Sequence, residues 1–283
     1  MKRLKSKYRV INVKEVINSI GNAAISKTNQ IKSSKLRYMV PTMMAGFFVG
    51  LGIILIFTIG GILAPTGFAG TKIIMGVSFG IALSLVIIAG ADLFTGNNMV
   101  MSIGMLEKKV NWIDTMKVWV YSYVGNFFGS VLVALLFVYS GLANGGVAEF
   151  INNAAGVKMN APFLELLVRG ILCNILVCLA VWCSFKLKSE TGKLIMIFWC
   201  LFAFITSGFE HSIANMTLLS ISLLIKHPET VTLAGMVSNL VPVTIGNIIG
   251  GSLFVGAAYW VTSSGPKNKK VSNSKINNNK LAS

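Results

Sequence analysis

Charged residues are scarce in this sequence. Only 12% of the 283 residues are charged, whereas 54% are hydrophobic, and the mean hydropathy is +0.73. Soluble domains carry about 25% charged residues, so the composition excludes an ordinary soluble domain. The first long apolar run, from Met39 to Ala64, has no charge and exceeds the roughly 20 residues that cross a bilayer. No apolar stretch of signal-peptide length precedes it, so we expect a polytopic membrane protein without a cleaved leader.

Acidic residues are scarcer than basic residues. Nine Asp and Glu stand against 25 Lys and Arg, which gives a formal net charge of +16. Ten basic residues precede Met39, and other groups lie around Lys108, around Lys186 and after Pro266, whereas the alternate connections hold few. This loop-by-loop alternation is the positive-inside bias, which predicts cytoplasmic termini and a lipid bilayer as partner rather than a nucleic acid.

Ligands for metals and motifs for catalysis are also lacking. The four cysteines all lie in apolar runs and do not share one helix face, so we interpret them as packing residues without a disulfide. Of the two histidines, His227 lies in a predicted turn, and Glu210-His211 lacks the H-E-x-x-H spacing of a zinc protease. No G-x-S-x-G elbow is present. We therefore expect no enzyme, no metal site and no cofactor.

Six hydrophobic runs follow one another, at about 39–64, 73–106, 114–141, 162–185, 193–225 and 232–262. The second and the fifth are abnormal, because a polar break divides each of them. The breaks read "GADLFTGNN" (Gly90 to Asn98) and "SGFEHSIANM" (Ser207 to Met216). Freed backbone groups are tolerated at membrane depth only where they are buried in protein or line a wet cavity. Both breaks are therefore expected to face a pore.

The two breaks resemble each other. Each has a glycine, an acid two residues later and then Asn-Met, and a second pair of strings, "VGNFFGS" and "IGNIIGG", repeats at a similar offset. Three spans separate the members of each pair, so the halves must run in opposite directions. The predicted fold is an all-α membrane protein with six transmembrane helices in two inverted three-helix repeats, a pattern that marks a midplane transport site. Asp92 and Glu210 are expected to accept hydrogen bonds from backbone N–H groups freed at the breaks.

The chain divides into three parts. Residues 1–38 form an N-terminal amphipathic segment, 39–262 the six-helix transmembrane domain, and 263–283 a disordered basic cytoplasmic tail. Apolar residues at helical spacing in the first part are Val13, Val16, Ile17, Ile20 and Ala24. This face predicts a helix that lies on the cytoplasmic surface or packs on a neighbouring subunit.

His211 is the ionisable residue within the second break, and an intramembrane histidine is a functional hypothesis by default. The Born cost of a bare small ion in low dielectric is of order 20 kcal/mol. Protonating a weak acid of pKa roughly 3–4 at pH 7 costs only about 4–5 kcal/mol. An anion of a weak acid is thus moved more easily after protonation, helped by an imidazolium at His211 or by Lys158, which would concentrate the anion at an entrance.

Several motifs resemble the formate/nitrite transporter family over nearly the whole chain, from about Met39 to Trp260. They are "AGADLFTG", "SGFEHSIANM", "NILVCLAVW" and "VTIGNIIGG". The resemblance implies a homopentamer in the inner membrane of a prokaryote, in which each subunit has one aquaporin-like pore for small monovalent anions of weak acids.

The resemblance also implies roles for individual residues. The positions of the family's hydrophobic constrictions are occupied by Phe79, Leu83, Leu93, Phe94 and Phe204. Thr95 corresponds to the mobile first loop and His211 to the central histidine. Asn174 and Asn247 correspond to the polar pore partners, and Lys158 corresponds to the vestibule lysine.

The substrate is less sharply defined than the family. "FGIALSLVIIAG" and "FTG" resemble the nitrite channels, whereas Asp92 and "NLVPVTIGNIIGG" resemble the formate channels, and hydrosulfide channels belong to the same family. Nitrite is favoured and formate is the alternative. Neither break has the paired Asn-Pro-Ala that a water or glycerol channel would need, and the sequence leaves open a passive channel or a proton-coupled carrier.

Overall fold

The computed structural model describes residues 12–263, and within that part the secondary structure is helical throughout. The α-helices are α1 Val13–Ser33, α2 Lys35–Leu63, α3 Thr71–Ser78, α4 Gly80–Ile88, α5 Phe94–Leu106, α6 Trp112–Tyr139, α7 Gly145–Met159, α8 Phe163–Lys186, α9 Glu190–Ser207, α10 Ser212–Leu224, α11 Leu233–Ile249 and α12 Ala258–Ser263. A 3₁₀ turn (Ala64–Thr66) follows α2, and a π-helical segment (Gly250–Ala257) joins α11 to α12. Apart from Ser263, the predicted basic tail lies outside the described residues.

Six helical units are long and apolar enough to cross a membrane, as the sequence predicts. They are Lys35–Thr66, Thr71–Ile88, Trp112–Tyr139, Phe163–Lys186, Glu190–Ser207 and Leu233–Ser263. No more than 44% of the most apolar window of any unit is buried inside the chain. Large apolar side chains therefore cover the outside of the bundle, which suits contact with lipid or with other subunits.

Both predicted breaks are present, and each begins at a glycine in the left-handed region. The φ angle is 78° at Gly90, after α4, and 79° at Gly208, after α9. Glycine has no Cβ and adopts this conformation without strain, so the chain leaves the helix there. Helix resumes at Phe94 and at Ser212, earlier than the polar strings suggest, and the short half-helices α5 and α10 follow.

Each half of the bundle contains one pair of helices that pack closely together. A Cβ added at Gly129 on α6 would lie 1.9 Å from the Met43 carbonyl oxygen on α2. In the other half, a Cβ added at Gly246 on α11 would lie 2.2 Å from the Leu167 carbonyl oxygen on α8. The backbones thus touch where a side chain would keep them apart, which is the packing that small residues allow between membrane helices.

Helix α1 covers one end of its own chain's bundle. The predicted apolar face is present: Val16, Ile17, Ile20 and Ala24 are buried, and α1 packs against α5, α2 and α6. The Lys109 ammonium, in the connection after α5, donates to the Asn18 side chain on α1 at 2.5 Å. The helix is therefore fixed to the chain it belongs to.

Sequence reasoning did not predict helix α7, which forms in the connection between the third and fourth spans. Its buried residues, Ile151, Ala155 and Met159, recur every four positions. A stripe this narrow is easily overlooked among the polar residues around it. The helix matters because it carries Lys158 back to the second break.

Candidate functional site

Asn126 on α6 organises the first break. Its Nδ2 donates to the carbonyl oxygens of Thr42 at 2.6 Å and Asp92 at 3.0 Å, and its Oδ1 accepts the N–H of Phe94 at 2.9 Å. One buried amide thus supplies partners to the Asp92 carbonyl and the Phe94 N–H, which the interrupted helix leaves free, and links them to α2 through the Thr42 carbonyl. It also explains why helix can resume at Phe94.

Asn247 on α11 organises the second break in the same way. Its Nδ2 donates to the carbonyl oxygens of Gly170 at 2.8 Å and Glu210 at 3.0 Å, and its Oδ1 accepts the N–H of Ser212 at 3.0 Å. Donors and acceptors match those of Asn126 one by one. The sequence echo between the halves therefore corresponds to two equivalent hydrogen-bond networks.

The acids of the two breaks also have equivalent surroundings. Asp92 accepts from Asn97 Nδ2 at 2.5 Å and pairs with Lys27 on α1 at 2.6 Å. Glu210 accepts from Asn215 Nδ2 at 2.6 Å and pairs with Lys158 at 2.7 Å.

These contacts differ from the expected role of the two acids, which was to accept freed backbone N–H groups. In the described part of the chain, side chains supply the donors instead. The reason is local, since the asparagine amides already hold the first N–H of each half-helix. Each carboxylate ties its break to a lysine on a separate helix.

His211 begins the half-helix α10. Its Nδ1 accepts the N–H of Ala214 at 3.1 Å, so the imidazole serves as the N-cap of that helix. Its Nε2 lies 3.1 Å from the Thr95 hydroxyl on α5. Because Nδ1 acts as the acceptor, the proton of the neutral ring is assigned to Nε2, which points at Thr95. The two buried side chains join the half-helices of both breaks.

An apolar constriction lies beside His211. A cavity of about 10 Å³ is lined by Val49, Phe79, Ala82, Leu83, Leu93, Val177, Leu201, Phe204 and His211. The rings of Phe79 and Phe204 meet edge to face there, with centroids 5.5 Å apart. Four of the five predicted constriction residues lie together at this point. Phe94 lies elsewhere, with its ring packed on Tyr123 at 5.0 Å.

A wider cavity, the vestibule, adjoins the constriction. It has a volume of about 500 Å³, and Phe204 and His211 line both cavities, so these two residues lie where the vestibule and the constriction meet. Its walls are mainly apolar, and the charged residues among them are Lys72 and Lys158. Sequence reasoning named Lys158 but missed Lys72, whose only signal is its place in the connection before the second run.

Asn174 on α8 lies behind the pore wall. Its Nδ2 donates to the carbonyl oxygens of Thr95 at 3.1 Å and Asn247 at 2.6 Å. It therefore links the first turn of α5 to the amide network of the second break. Neither Asn174 nor Asn247 lines the vestibule or the constriction.

Within residues 12–263, no group of three His, Cys, Asp or Glu side chains is placed to hold a metal ion. The four cysteines are free thiols, and three of them are buried. Cys178 Sγ lies 3.4 Å from the Thr95 carbonyl oxygen, which makes it part of the packing around α5.

Comparisons with known proteins agree with this architecture. The family model described as formate/nitrite transporter matches residues 14–261. The chain is 40% identical to the nitrite transporter NirC of Salmonella typhimurium over 264 residues, 93% of this chain and 96% of that protein. It is 35% identical to the formate channel FocA of Escherichia coli strain K12 over 242 residues, 77% and 83% of the two chains.

Two solved structures share the fold. A chain described as an FNT family ion channel aligns with a TM-score of 0.83 at 40% identity, over 88% of this chain and 98% of that one. A pentameric formate channel with formate bound aligns with a TM-score of 0.70 at 28% identity, over 82% and 98%. These relatives are transporters and channels, so the chain is a transport protein and not an enzyme, and it belongs to the formate/nitrite transporter family.

Proposed function

We propose that this protein conducts small monovalent anions of weak acids, nitrite foremost, through the pore that contains His211. The observation that carries the proposal is the position of this one imidazole, which lines both the vestibule and the apolar constriction. An anion on a path through the two cavities is thus brought close to a titratable ring.

The constriction supplies selectivity. It is lined by Phe, Leu, Val and Ala side chains that give a bare anion no hydrogen bonds. The desolvation cost of order 20 kcal/mol stops a strong-acid anion such as chloride. A weak acid avoids that cost because protonation at pH 7 requires only about 4–5 kcal/mol.

His211 assists the protonation by changing state. In the capped state Nδ1 accepts the Ala214 N–H and Nε2–H faces Thr95. A second proton has to enter at Nδ1, which breaks the cap, and the resulting imidazolium attracts the anion and donates a proton to it. Return to the neutral ring restores the cap. Proton movement and the start of α10 are thus coupled.

Nitrite is favoured over formate by the degree of similarity. The chain is 40% identical to the nitrite transporter NirC over 93% of its length, against 35% to the formate channel FocA over 77%. Formate is the second candidate, because the structural relative with formate bound shares the fold. Hydrosulfide is a further candidate, since its acid is also weak and its anion is small.

The working form is proposed to be a homopentamer in the inner membrane of a prokaryote, with both termini cytoplasmic. A pentameric relative and bacterial relatives support this assembly and location. The excess of basic residues near the termini supports the orientation. Lys72 and Lys158, one and three spans away from the N-terminus, then lie on the external side.

Anion flux into liposomes that contain the purified protein tests the proposal. Nitrite, formate, hydrosulfide and chloride are compared from pH 5 to 8, with protein-free liposomes as the control for leakage of the neutral acids. We expect nitrite and formate to pass, chloride to be excluded and flux to rise at low pH. Equal chloride flux without pH dependence would show that the pore conducts bare anions and would refute the protonation mechanism.

A further inference from the structure

We infer that Lys72, rather than Lys158, is the residue that captures anions in the vestibule. The inference rests on the proposed function and adds the group that recruits the substrate. A capture residue must carry a positive charge that no carboxylate neutralises, and it must face the path that the anion takes. The two lysines of the vestibule differ in the first respect.

Lys158 is already paired. Its ammonium lies 2.7 Å from both carboxylate oxygens of Glu210, a contact that leaves little net charge at that point. The side chain of Glu210 is 4% exposed, so breaking the pair would leave a buried carboxylate without its counter-ion. The geometry therefore makes Lys158 a brace for the second break.

Lys72 has no carboxylate partner among the described residues, and its side chain is exposed. It lines the vestibule together with His211, and the lining contains no Asp or Glu. A Cβ added at Gly208 would lie 3.1 Å from Lys72 Nζ, so the ammonium stands over the residue that opens the second break.

The walls around this charge strengthen its effect. Phe57, Phe68 and Phe209 line the same cavity, and low-dielectric walls focus the field of a charge into the cleft. Lys72 and His211 line the same vestibule, so an anion drawn to the ammonium is already in the cavity that contains the imidazole. Capture and protonation are thus separate steps on separate residues.

A purely structural role for Lys72 is the competing explanation, because a cation near the end of α9 also stabilises the helix dipole. The two roles predict different kinetics. Capture changes the substrate concentration needed for half-maximal flux and disappears when salt screens the charge. A structural role lowers the maximal flux or the amount of folded protein.

Nitrite uptake into liposomes is measured for the wild type, Lys72→Gln, Lys72→Arg and Lys226→Gln. Lys226 is the matched control, since it lies in an exposed turn on the same side of the membrane and does not line the vestibule. At 10 mM ionic strength we expect Lys72→Gln to raise the KM about 3- to 10-fold with little change in maximal flux. The difference should vanish at 1 M salt, where the screening length is about 3 Å. Lys72→Arg and Lys226→Gln should resemble the wild type.

A further variant allows two charges at position 72 to be compared in the same folded protein. One preparation of Lys72→Cys is divided into two portions, which are labelled with a cationic and an anionic membrane-impermeant thiol reagent. Wild-type protein treated with the same reagents controls for the natural cysteines. The cationic label should restore the low KM and the anionic label should raise it further. Equal KM values for both labels, or for Lys72→Gln and Lys226→Gln, would overturn the inference while leaving the proposed function intact. Wild-type protein that passes neither nitrite nor formate would overturn both.

Discussion

At the scale of single residues, the proposed mechanism gives His211 two tasks that compete for one nitrogen. Nδ1 closes the start of α10 by accepting the Ala214 N–H, and in the proposal it is also the site where a proton enters. Thr95 holds the other nitrogen at 3.1 Å. A ring with both nitrogens engaged keeps a fixed orientation where the vestibule and the constriction meet.

Replacing the imidazole by an amide separates the two tasks. Asn is a good N-cap, so His211→Asn should preserve the start of α10 while removing the titratable group. We expect nitrite flux at pH 5 to fall by about tenfold or more and to lose its rise at low pH, since general acid catalysis contributes typically 10²–10⁴-fold. The measurement is liposome flux from pH 5 to 8.

His227→Asn is the matched control, because this histidine lies in an exposed turn outside the pore. It should leave the pH profile unchanged. If His211→Asn also kept the wild-type profile, His211 would only brace the break, and the proton would have to reach the anion by another route.

At the scale of elements, the two breaks are stabilised by a pair of asparagines on the third and sixth spans. Asn126 and Asn247 each bind one N–H and two carbonyl oxygens. Lipid offers no partner for such groups, so an interrupted helix persists only when protein supplies one. The half-helices α5 and α10 therefore depend on side chains far away in sequence.

Asn247→Ala should destabilise the protein strongly. The change leaves the Ser212 N–H and the Glu210 carbonyl oxygen without their partner, at about 1–3 kcal/mol for each buried group, whereas the Gly170 carbonyl keeps its place within α8. We expect a loss of about 2–6 kcal/mol in the free energy of unfolding, measured by denaturation in detergent. Asn153→Ala, at an exposed position on α7, is the control and should stay within about 0.5 kcal/mol of the wild type. Equal stability of the two variants would contradict this account of the breaks.

At the scale of the whole molecule, the single chain leaves much of its apolar surface uncovered. Less than half of the most apolar window of each of the six spanning units is buried within the chain. In a membrane this surface contacts lipid or other copies of the chain. The vestibule, the constriction and His211 are all built from the helices of one chain.

The proposed pentamer predicts a mass close to five times that of the 30.4 kDa chain. Native mass spectrometry of the protein released from mild detergent should show this species at the lowest detergent concentration that keeps the protein soluble. Dissociation at higher detergent concentration should give monomers that keep their helical content, since each chain buries its own core. A monomer or a dimer as the largest species would contradict the proposed assembly.

Much of this arrangement follows from the sequence by itself. The number of spans and the two breaks can be predicted, and His211 can be chosen as a candidate, because a bilayer restricts the chain to helices and makes every polar residue in a span conspicuous. Glycine, acid and Asn-Met at matching positions indicate the inverted repeat. The motifs in the two breaks identify the family.

Only the tertiary structure decides which side chains meet. Asp92 and Glu210 each contact an asparagine amide and a lysine ammonium. The first N–H of each half-helix is instead bound by Asn126 or Asn247. Lys158 pairs with Glu210, whereas Lys72 has no carboxylate partner within residues 12–263, although the sequence shows both as single lysines between apolar runs. Pairing depends on the path of α7 and on contacts across more than 50 residues, and local sequence does not specify these distances.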